Sequence, residues 1–227
     1  MNKPVDFDNF THNYNELLGE STRFFTSDEE YFASYKIDIV HRMIQGPVTR
    51  ILEFGCGIGR NIPFLKAAFP NASICGSDLA PASLEIARNE NKEVDFFLED
   101  NNEPEMGAFD LIVVAGVFHH IPPNLRSDVF NSLYERLSLN GRIIIFEHNP
   151  FNPITRRIVS NCPYDEDAIL LKPSEVRKHL TKAGFAVEDQ SFCLFIPPRF
   201  SKFVYIERLL KWLPLGGQYW IQAYRDK

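Results

Sequence analysis

Glycine alternates with other residues at Gly55, Gly57 and Gly59, directly after an apolar lead-in, Ile51-Leu52, and the acidic Glu53. Glycine allows a chain to turn with positive φ and lets bare backbone approach a ligand. From Arg60-Asn61-Ile62-Pro63 onward the apolar residues take helical spacing. A strand, a Gly-rich turn and a helix N-terminus in succession build a nucleotide-type site at the carboxyl edge of a parallel sheet. The spacing narrows the ligand. A dinucleotide G-x-G-x-x-G needs a third glycine where Arg60 stands, and a P-loop needs Gly-Lys-Ser/Thr, which is missing. A Gly-rich turn without any ligand stays open at this point.

Strand and helix signals alternate around that turn. Ser27-Asp28-Glu29-Glu30 is a capping-box pattern opening a helix that Gly46-Pro47 ends. Strands are expected at Arg50–Phe54, Ser73–Ser77 (ending at Asp78), Val94–Leu98, Phe109–Ala115 and Arg142–Glu147. Helices are expected at 60–68, Pro81–Asn91 and Asn124–Ser138, the last followed by Asn140-Gly141. The unbroken Ile143-Ile144-Ile145-Phe146 run fits the buried centre of a parallel sheet. Residues 148–172 are Pro-, Asn- and Asp-rich and long enough to be functional. A helix over 174–183, a strand over 185–192, an amphipathic helix near 200–213 and a strand over 217–224 complete the chain. The order predicts one α/β domain, 1–227, with a doubly wound sheet.

Composition bounds the partners. The net charge of −6 gives no general attraction to nucleic acid. Four cysteines, Cys56, Cys75, Cys162 and Cys193, are widely spaced without a C-x-x-C pair, which suits free thiols in a reducing cytoplasm. The first residues lack the apolar core of a signal peptide, and Leu111–Phe118 is too short to span a bilayer. A cytoplasmic protein is expected.

An acidic strand end followed by G-x-G-x-G, here Glu53 with Gly55, Gly57 and Gly59, resembles motif I of the class I S-adenosylmethionine-dependent methyltransferases. Gly76-Ser77-Asp78-Leu79-Ala80-Pro81 is similar to the acidic second motif, and Asp100-Asn101 to the acid after the third strand. Phe109–Ala115 with Phe118-His119-His120-Ile121-Pro122 resembles the fourth motif and its loop, and Gly141–Glu147 and Ala183-Gly184-Phe185 the later strands. The likeness covers roughly residues 50–192 in order. It implies a Rossmann-like methyltransferase fold, a mostly parallel seven-stranded sheet with its last strand antiparallel. The His119–Pro122 loop is most similar to the ubiquinone/menaquinone-type small-molecule methyltransferases. Amino-methylating nucleic-acid enzymes carry Asp/Asn-Pro-Pro-Tyr/Phe after the fourth strand, where this chain has Ala115-Gly116-Val117-Phe118.

By the same resemblance the cofactor is S-adenosylmethionine. Glu53 would neighbour its cationic groups, with Gly55, Cys56 and Gly57 forming the turn. Asp78 would serve the ribose hydroxyls and Leu79 would line the cofactor, with Asp100 and Asn101 at the adenine and Ala115 and Tyr14 at the methionine end. The acceptor would be a small molecule: a quinone precursor, a sugar or another secondary metabolite. Its pocket would be formed by a helical cap, 1–47, and two insertions, 148–172 and 193–216.

If the acceptor is a hydroxyl, a base near neutral pKa helps, and His120 and His148 are the candidates. Packing roles for both stay open. His119 is expected to alternate away. No metal is expected from His119, His120, Glu147 and His148, because adjacent histidines seldom converge and H-E-x-x-H spacing is absent. Asp165-Glu166-Asp167 reads as a solvated loop or a contact for a cationic or sugar substrate. Arg156-Arg157 reads as a surface pair or a grip on an acceptor anion. The 200–213 helix reads as packing or as peripheral membrane contact. A non-catalytic binding or assembly protein of the same fold, and a nicotinamide oxidoreductase, stand as alternatives.

Overall fold

The computed structural model describes residues 30–100 and 108–226. Seven strands form one sheet: β1 (Arg50–Phe54), β2 (Ser73–Asp78), β3 (Asp95–Leu98), β4 (Phe109–Ala115), β5 (Leu137–His148), β6 (Phe185–Cys193) and β7 (Gln218–Arg225). Their order is β3-β2-β1-β4-β5-β7-β6. β1 to β5 pair in parallel, and β7 runs antiparallel to both its neighbours. The order reverses between β1 and β4, which opens a crevice at the carboxyl edge where ligands settle in such sheets.

Alternate residues of the central strands bury opposite faces. Leu52, Ile112, Val114, Ile143 and Ile145 pack with Phe118, Phe130, Leu133, Val176 and Leu180 on one side. Ile51, Leu111, Val113, Ile144 and Phe146 pack with Ile37, Val40, Ile62, Leu65 and Leu84 on the other. Both faces being covered explains the continuous apolar run in β5.

The helices are α1 (Tyr31–Met43), α2 (Ile62–Ala68), α3 (Pro81–Glu90), α4 (Arg126–Arg136), α5 (Pro153–Asn161), α6 (Pro173–Ala183) and a short α7 (Glu207–Leu210). Ser27, expected to cap α1, lies outside the described residues. α5 interrupts the 148–172 stretch: Asn152 accepts hydrogen bonds from the backbone N–H of Ile154 and Thr155, and proline occupies the first turn. α6 ends at Gly184, whose φ of 102° gives the left-handed terminus.

Two expectations need correction. α4 ends at Arg136, because Leu137 already pairs with Phe109, so Asn140-Gly141 lies within β5 as an irregularity rather than beyond a helix end. The helix near 200–213 is a 3-10 segment, Pro198–Ile206, kinked at Phe200, followed by the four residues of α7. The buried carboxylate of Glu207 accepts from Phe195 N–H, Ile196 N–H and Tyr35 O–H, which ties the segment to α1. Among the described residues no helix is long and apolar enough to cross a membrane. The four cysteines are buried free thiols.

Candidate active site

The turn after β1 is held by backbone contacts to β2. Gly55 N–H and Cys56 N–H donate to Ser77 C=O at 2.8 and 2.9 Å. Gly57 N–H donates to Asp78 Oδ2 at 2.7 Å, and Ala80 N–H to Asp78 Oδ1 at 2.9 Å. Gly55 has φ 71°, and a Cβ there would lie 2.3 Å from Val117 Cγ2, so only glycine lets the β1 turn meet the loop after β4. Gly57, with φ 53°, faces open space within 4 Å. That bare backbone is where a ligand can approach. The Cys56 sulfur lies 2.9 Å from where a Gly76 Cβ would sit, and its thiol donates to Gly57 C=O at 3.7 Å, so it steadies the turn from beneath.

Glu53 lies beneath this turn, 1% exposed. Its Oε1 accepts from Asn61 Nδ2, while Oε2 is buried without a hydrogen-bond partner among the described residues. Burial raises its pKa to about 7, against the pull of Asn61 and Lys36. Lys36, on α1, is lowered to about 8 by burial, with Glu53 opposing. An unsatisfied buried acceptor of this kind fits a ligand ammonium. Around the crevice, Leu79 is 72% exposed after β2, Asp100 is exposed after β3, and Ala115 ends β4. Tyr14 and Asn101 lie outside the described residues.

The carboxyl ends of β4 and β5 carry the second half of the crevice. Glu147, fully buried in β5, accepts from Val117 N–H at 3.1 Å and Phe118 N–H at 2.7 Å through Oε1, and its Oε2 lies 2.7 Å from His119 Nδ1. His119 Nε2 and His120 Nε2 face Asp165 Oδ1 at 3.5 and 3.4 Å, and His120 Nδ1 lies 3.2 Å from Asp167 Oδ1. The His119 ring centroid is 4.0 Å from that of His120 and 4.9 Å from that of His148. Burial alone would lower His119, but Glu147 and Asp165 outweigh it and raise it to about 9. Burial, then the charge on His119, lower His148 to about 4. Burial would raise Asp165, but the two imidazoles against it hold it well below the usual carboxylate range.

Backbone contacts lock the two loops together. Ile169 N–H donates to His119 C=O at 2.8 Å. Arg126, buried, donates to Ile121 C=O at 2.9 Å and Ile169 C=O at 2.8 Å. Asn149 is a structural tie, donating to the carbonyls of Pro214 and Gly216.

A methyltransferase-domain family profile matches residues 52–143, a span that runs from β1 into β5 and includes Glu53, the glycine turn, Asp78, His119 and His120 but ends before Glu147, His148 and Asp165. Over that span the chain is similar to methyltransferase domains. It is 36% identical over 98 residues to a malonyl-[acyl-carrier protein] O-methyltransferase of Ilyobacter polytropus, covering 41% of this chain and 35% of that protein. It is 32% identical over 108 residues to a demethylmenaquinone methyltransferase of Thermus thermophilus, covering 44% and 48%. The chain thus spans at most about half the length of these relatives. A magnesium protoporphyrin IX methyltransferase from Synechocystis PCC 6803, solved with bound SAH, shares the fold with a TM-score of 0.65, at 16% identity over 96% of this chain and 97% of that one.

The crevice brings together Glu53, Gly55, Gly57 and Asp78 at one end and His119, His120, His148 and Glu147 at the other. The expectation that His119 alternates away is overturned. Residues 117–121 form tight turns, with His120 N–H donating to Val117 C=O and Ile121 N–H to Phe118 C=O, so strand alternation does not apply there. Nor do adjacent histidines diverge here. His120 differs from an open base, since both ring nitrogens face carboxylates. Asp165 is a buried member of the cluster rather than part of a solvated loop, whereas Arg156 and Arg157 are exposed. Sequence reasoning missed Lys36, the anchoring part of Glu147 and the inward turn of Asp165. The Asp165-Glu166-Asp167 run was the visible signal for the last.

Proposed function

We propose that this chain transfers a methyl group from S-adenosylmethionine to an oxygen of a small-molecule acceptor. The observation that carries the reading is the buried, half-satisfied Glu53 beneath the open Gly57 turn, at the point where the strand order reverses. Glu53 and the turn would hold the amino-acid end, Asp78 the ribose hydroxyls through its remaining lone pairs, and Leu79 and Asp100 the adenine side. When bound, the cofactor supplies an electrophilic methyl on a sulfonium with a neutral leaving group. The protein's part is then to align the acceptor within about 3–3.5 Å of that methyl and to exclude water.

His148 is the favoured proton acceptor at the other end. Held neutral by its surroundings, it keeps a lone pair at neutral pH, while His120 engages Asp165 and Asp167. The name of one relative, a malonyl-[acyl-carrier protein] O-methyltransferase, supports oxygen as the acceptor atom. Quinone precursors, sugars and other secondary metabolites fit a pocket that the segments 1–47, 148–172 and 193–216 would complete within one domain in the cytoplasm. Phe200, Phe203, Leu209 and Trp212 are exposed beside Lys202, Arg208 and Lys211, which supports peripheral contact with a membrane carrying a lipid-linked acceptor.

Calorimetric titration with S-adenosylhomocysteine tests the cofactor half. Micromolar binding that Asp78→Ala abolishes is the expected result, and methyl transfer to screened acceptors should follow. Binding without turnover on any acceptor class would favour a non-catalytic binding protein, and no binding to the wild type would overturn the reading.

A further inference from the structure

The histidines at the β4–β5 edge are oriented in a way that a hydrogen-bonded network does not need. Each gives its Nδ1 to a separate carboxylate, His119 to Glu147 at 2.7 Å and His120 to Asp167 at 3.2 Å. Each turns its Nε2 toward the same third carboxylate oxygen, Asp165 Oδ1, at 3.5 and 3.4 Å. Well-formed N–H···O bonds are about 2.7–3.2 Å long. Asp165 Oδ1 is buried and has no hydrogen-bond partner among the described residues. At those separations the imidazoles keep Asp165 ionised but leave this buried oxygen without a close hydrogen bond, a gap that a shared cation would fill.

The spacing indicates what that is. Two atoms bound tetrahedrally to one ion at about 2.0–2.1 Å lie roughly 3.3–3.4 Å apart. The Nε2–Oδ1 separations match this, and the three ligand atoms lie within 4.8 Å of one another. A carboxylate on the remote nitrogen is also the usual partner of a metal-bound histidine, because it fixes the tautomer that leaves the other nitrogen's lone pair on the metal. Here both imidazoles have one. With Glu147, Asp165 and Asp167 converging on two rings, a dication also offsets an excess of negative charge.

We propose that His119 Nε2, His120 Nε2 and Asp165 Oδ1 bind one divalent transition-metal ion of the zinc type, with Glu147 and Asp167 orienting the imidazoles. Two imidazole nitrogens and one carboxylate suit Zn²⁺ or Co²⁺ better than Mg²⁺, which prefers an all-oxygen set. Three protein ligands leave a coordination position open, as in sites that bind water or substrate. On the methyl-transfer reading, an acceptor oxygen would take that position. That use of the ion, as a Lewis acid toward a hydroxyl, rests on the methyl-transfer reading; the binding itself does not.

The test uses full-length, tag-free protein stripped with chelator, titrated with Zn²⁺ by calorimetry and with Co²⁺ by visible absorbance. One equivalent of each should bind with a micromolar or tighter Kd, Co²⁺ giving the intense visible bands of a low-coordinate site, and Mg²⁺ at least a hundredfold more weakly. His120→Ala and the near-isosteric Asp165→Asn should each weaken Zn²⁺ binding tenfold or more, while the far-ultraviolet circular-dichroism spectrum shows both variants folded and the S-adenosylhomocysteine affinity stays close to wild type. No saturable binding, binding unchanged in both variants, or Mg²⁺ binding as tightly as Zn²⁺ would overturn the inference. S-adenosylhomocysteine titrated into the same samples keeps the two readings apart: metal binding without it sinks the cofactor reading alone, and the reverse sinks the metal alone.

Discussion

The two ends of the crevice are built from different materials. At the β1–β2 edge the turn is held by backbone N–H donors: Gly57 and Ala80 donate to the Asp78 carboxylate, and Gly55 and Cys56 to the Ser77 carbonyl. At the β4–β5 edge they run through ionisable side chains, Glu147, His119, His120, Asp165 and Asp167, drawn from three segments. Backbone donors grip shape and charge with little regard to neighbouring side chains. A packed set of titratable groups instead answers to protons and cations, and each member depends on the others. One end is suited to a fixed ligand, the other to a variable one.

The sharpest way to break this contrast is Glu147→Ala. It leaves Val117 N–H, Phe118 N–H and His119 without their shared carboxylate, and losing one partner of a buried pair costs about 3–5 kcal/mol. Urea unfolding measures it, and a loss under about 1 kcal/mol would mean the cluster does not hold its loop. Gly55→Ala comes next. Positive φ and the overlap with Val117 together cost about 2–4 kcal/mol, and relief by a paired Val117→Ala would show that the clash is the cause. Gly57→Ala, with open space around it, should cost only about 1–2 kcal/mol from φ alone, yet weaken S-adenosylhomocysteine binding.

Proton linkage sharpens the comparison at the donor end. The folded-state pKa of Glu53, about 7, stands above its ordinary value of 4.5. Its contribution to stability is therefore fully present below about pH 4.5 and is lost as pH rises through about 7. An ammonium ligand prefers the ionised carboxylate, so S-adenosylhomocysteine affinity should rise by up to roughly tenfold, about 1.4 kcal/mol, between pH 6 and 8. Calorimetry on Glu53→Gln should show that slope flattened; an unchanged slope would remove Glu53 from the site. The smallest effect belongs to Trp212→Ala. At 75% exposure it should shift unfolding by less than about 0.5 kcal/mol while reducing co-sedimentation with anionic vesicles several-fold.

The same contrast explains what could be read from the chain alone. Glu53, the glycines and Asp78 are legible because a turn between adjacent parallel strands is specified by contiguous residues and one short crossover. All seven strands follow for the same reason, since apolar runs bounded by turn signals need no tertiary information. The β4–β5 end was not legible. His119 turns inward only because 117–121 coil into tight turns around Glu147, a contact formed by residues 28 apart. Asp165 reaches the histidines only once Ile169 has tied its segment to the His119 carbonyl and to Arg126, and an acidic run looks solvated until then. Likewise, nothing local reveals that Glu207 would be buried against Tyr35, so the apolar spacing of 200–213 resembles one helix when it is a kinked 3-10 segment.

The Arg126 clamp has a consequence for redesign. Because its guanidinium donates to both Ile121 and Ile169, and His119 accepts from Ile169, the segment that would shape acceptor choice is fastened to the loop after β4 rather than laid over it. Residues 148–172 are therefore not a detachable cassette. A chimaera that imports this segment from another chain inherits a specificity only if it imports the arginine's socket as well.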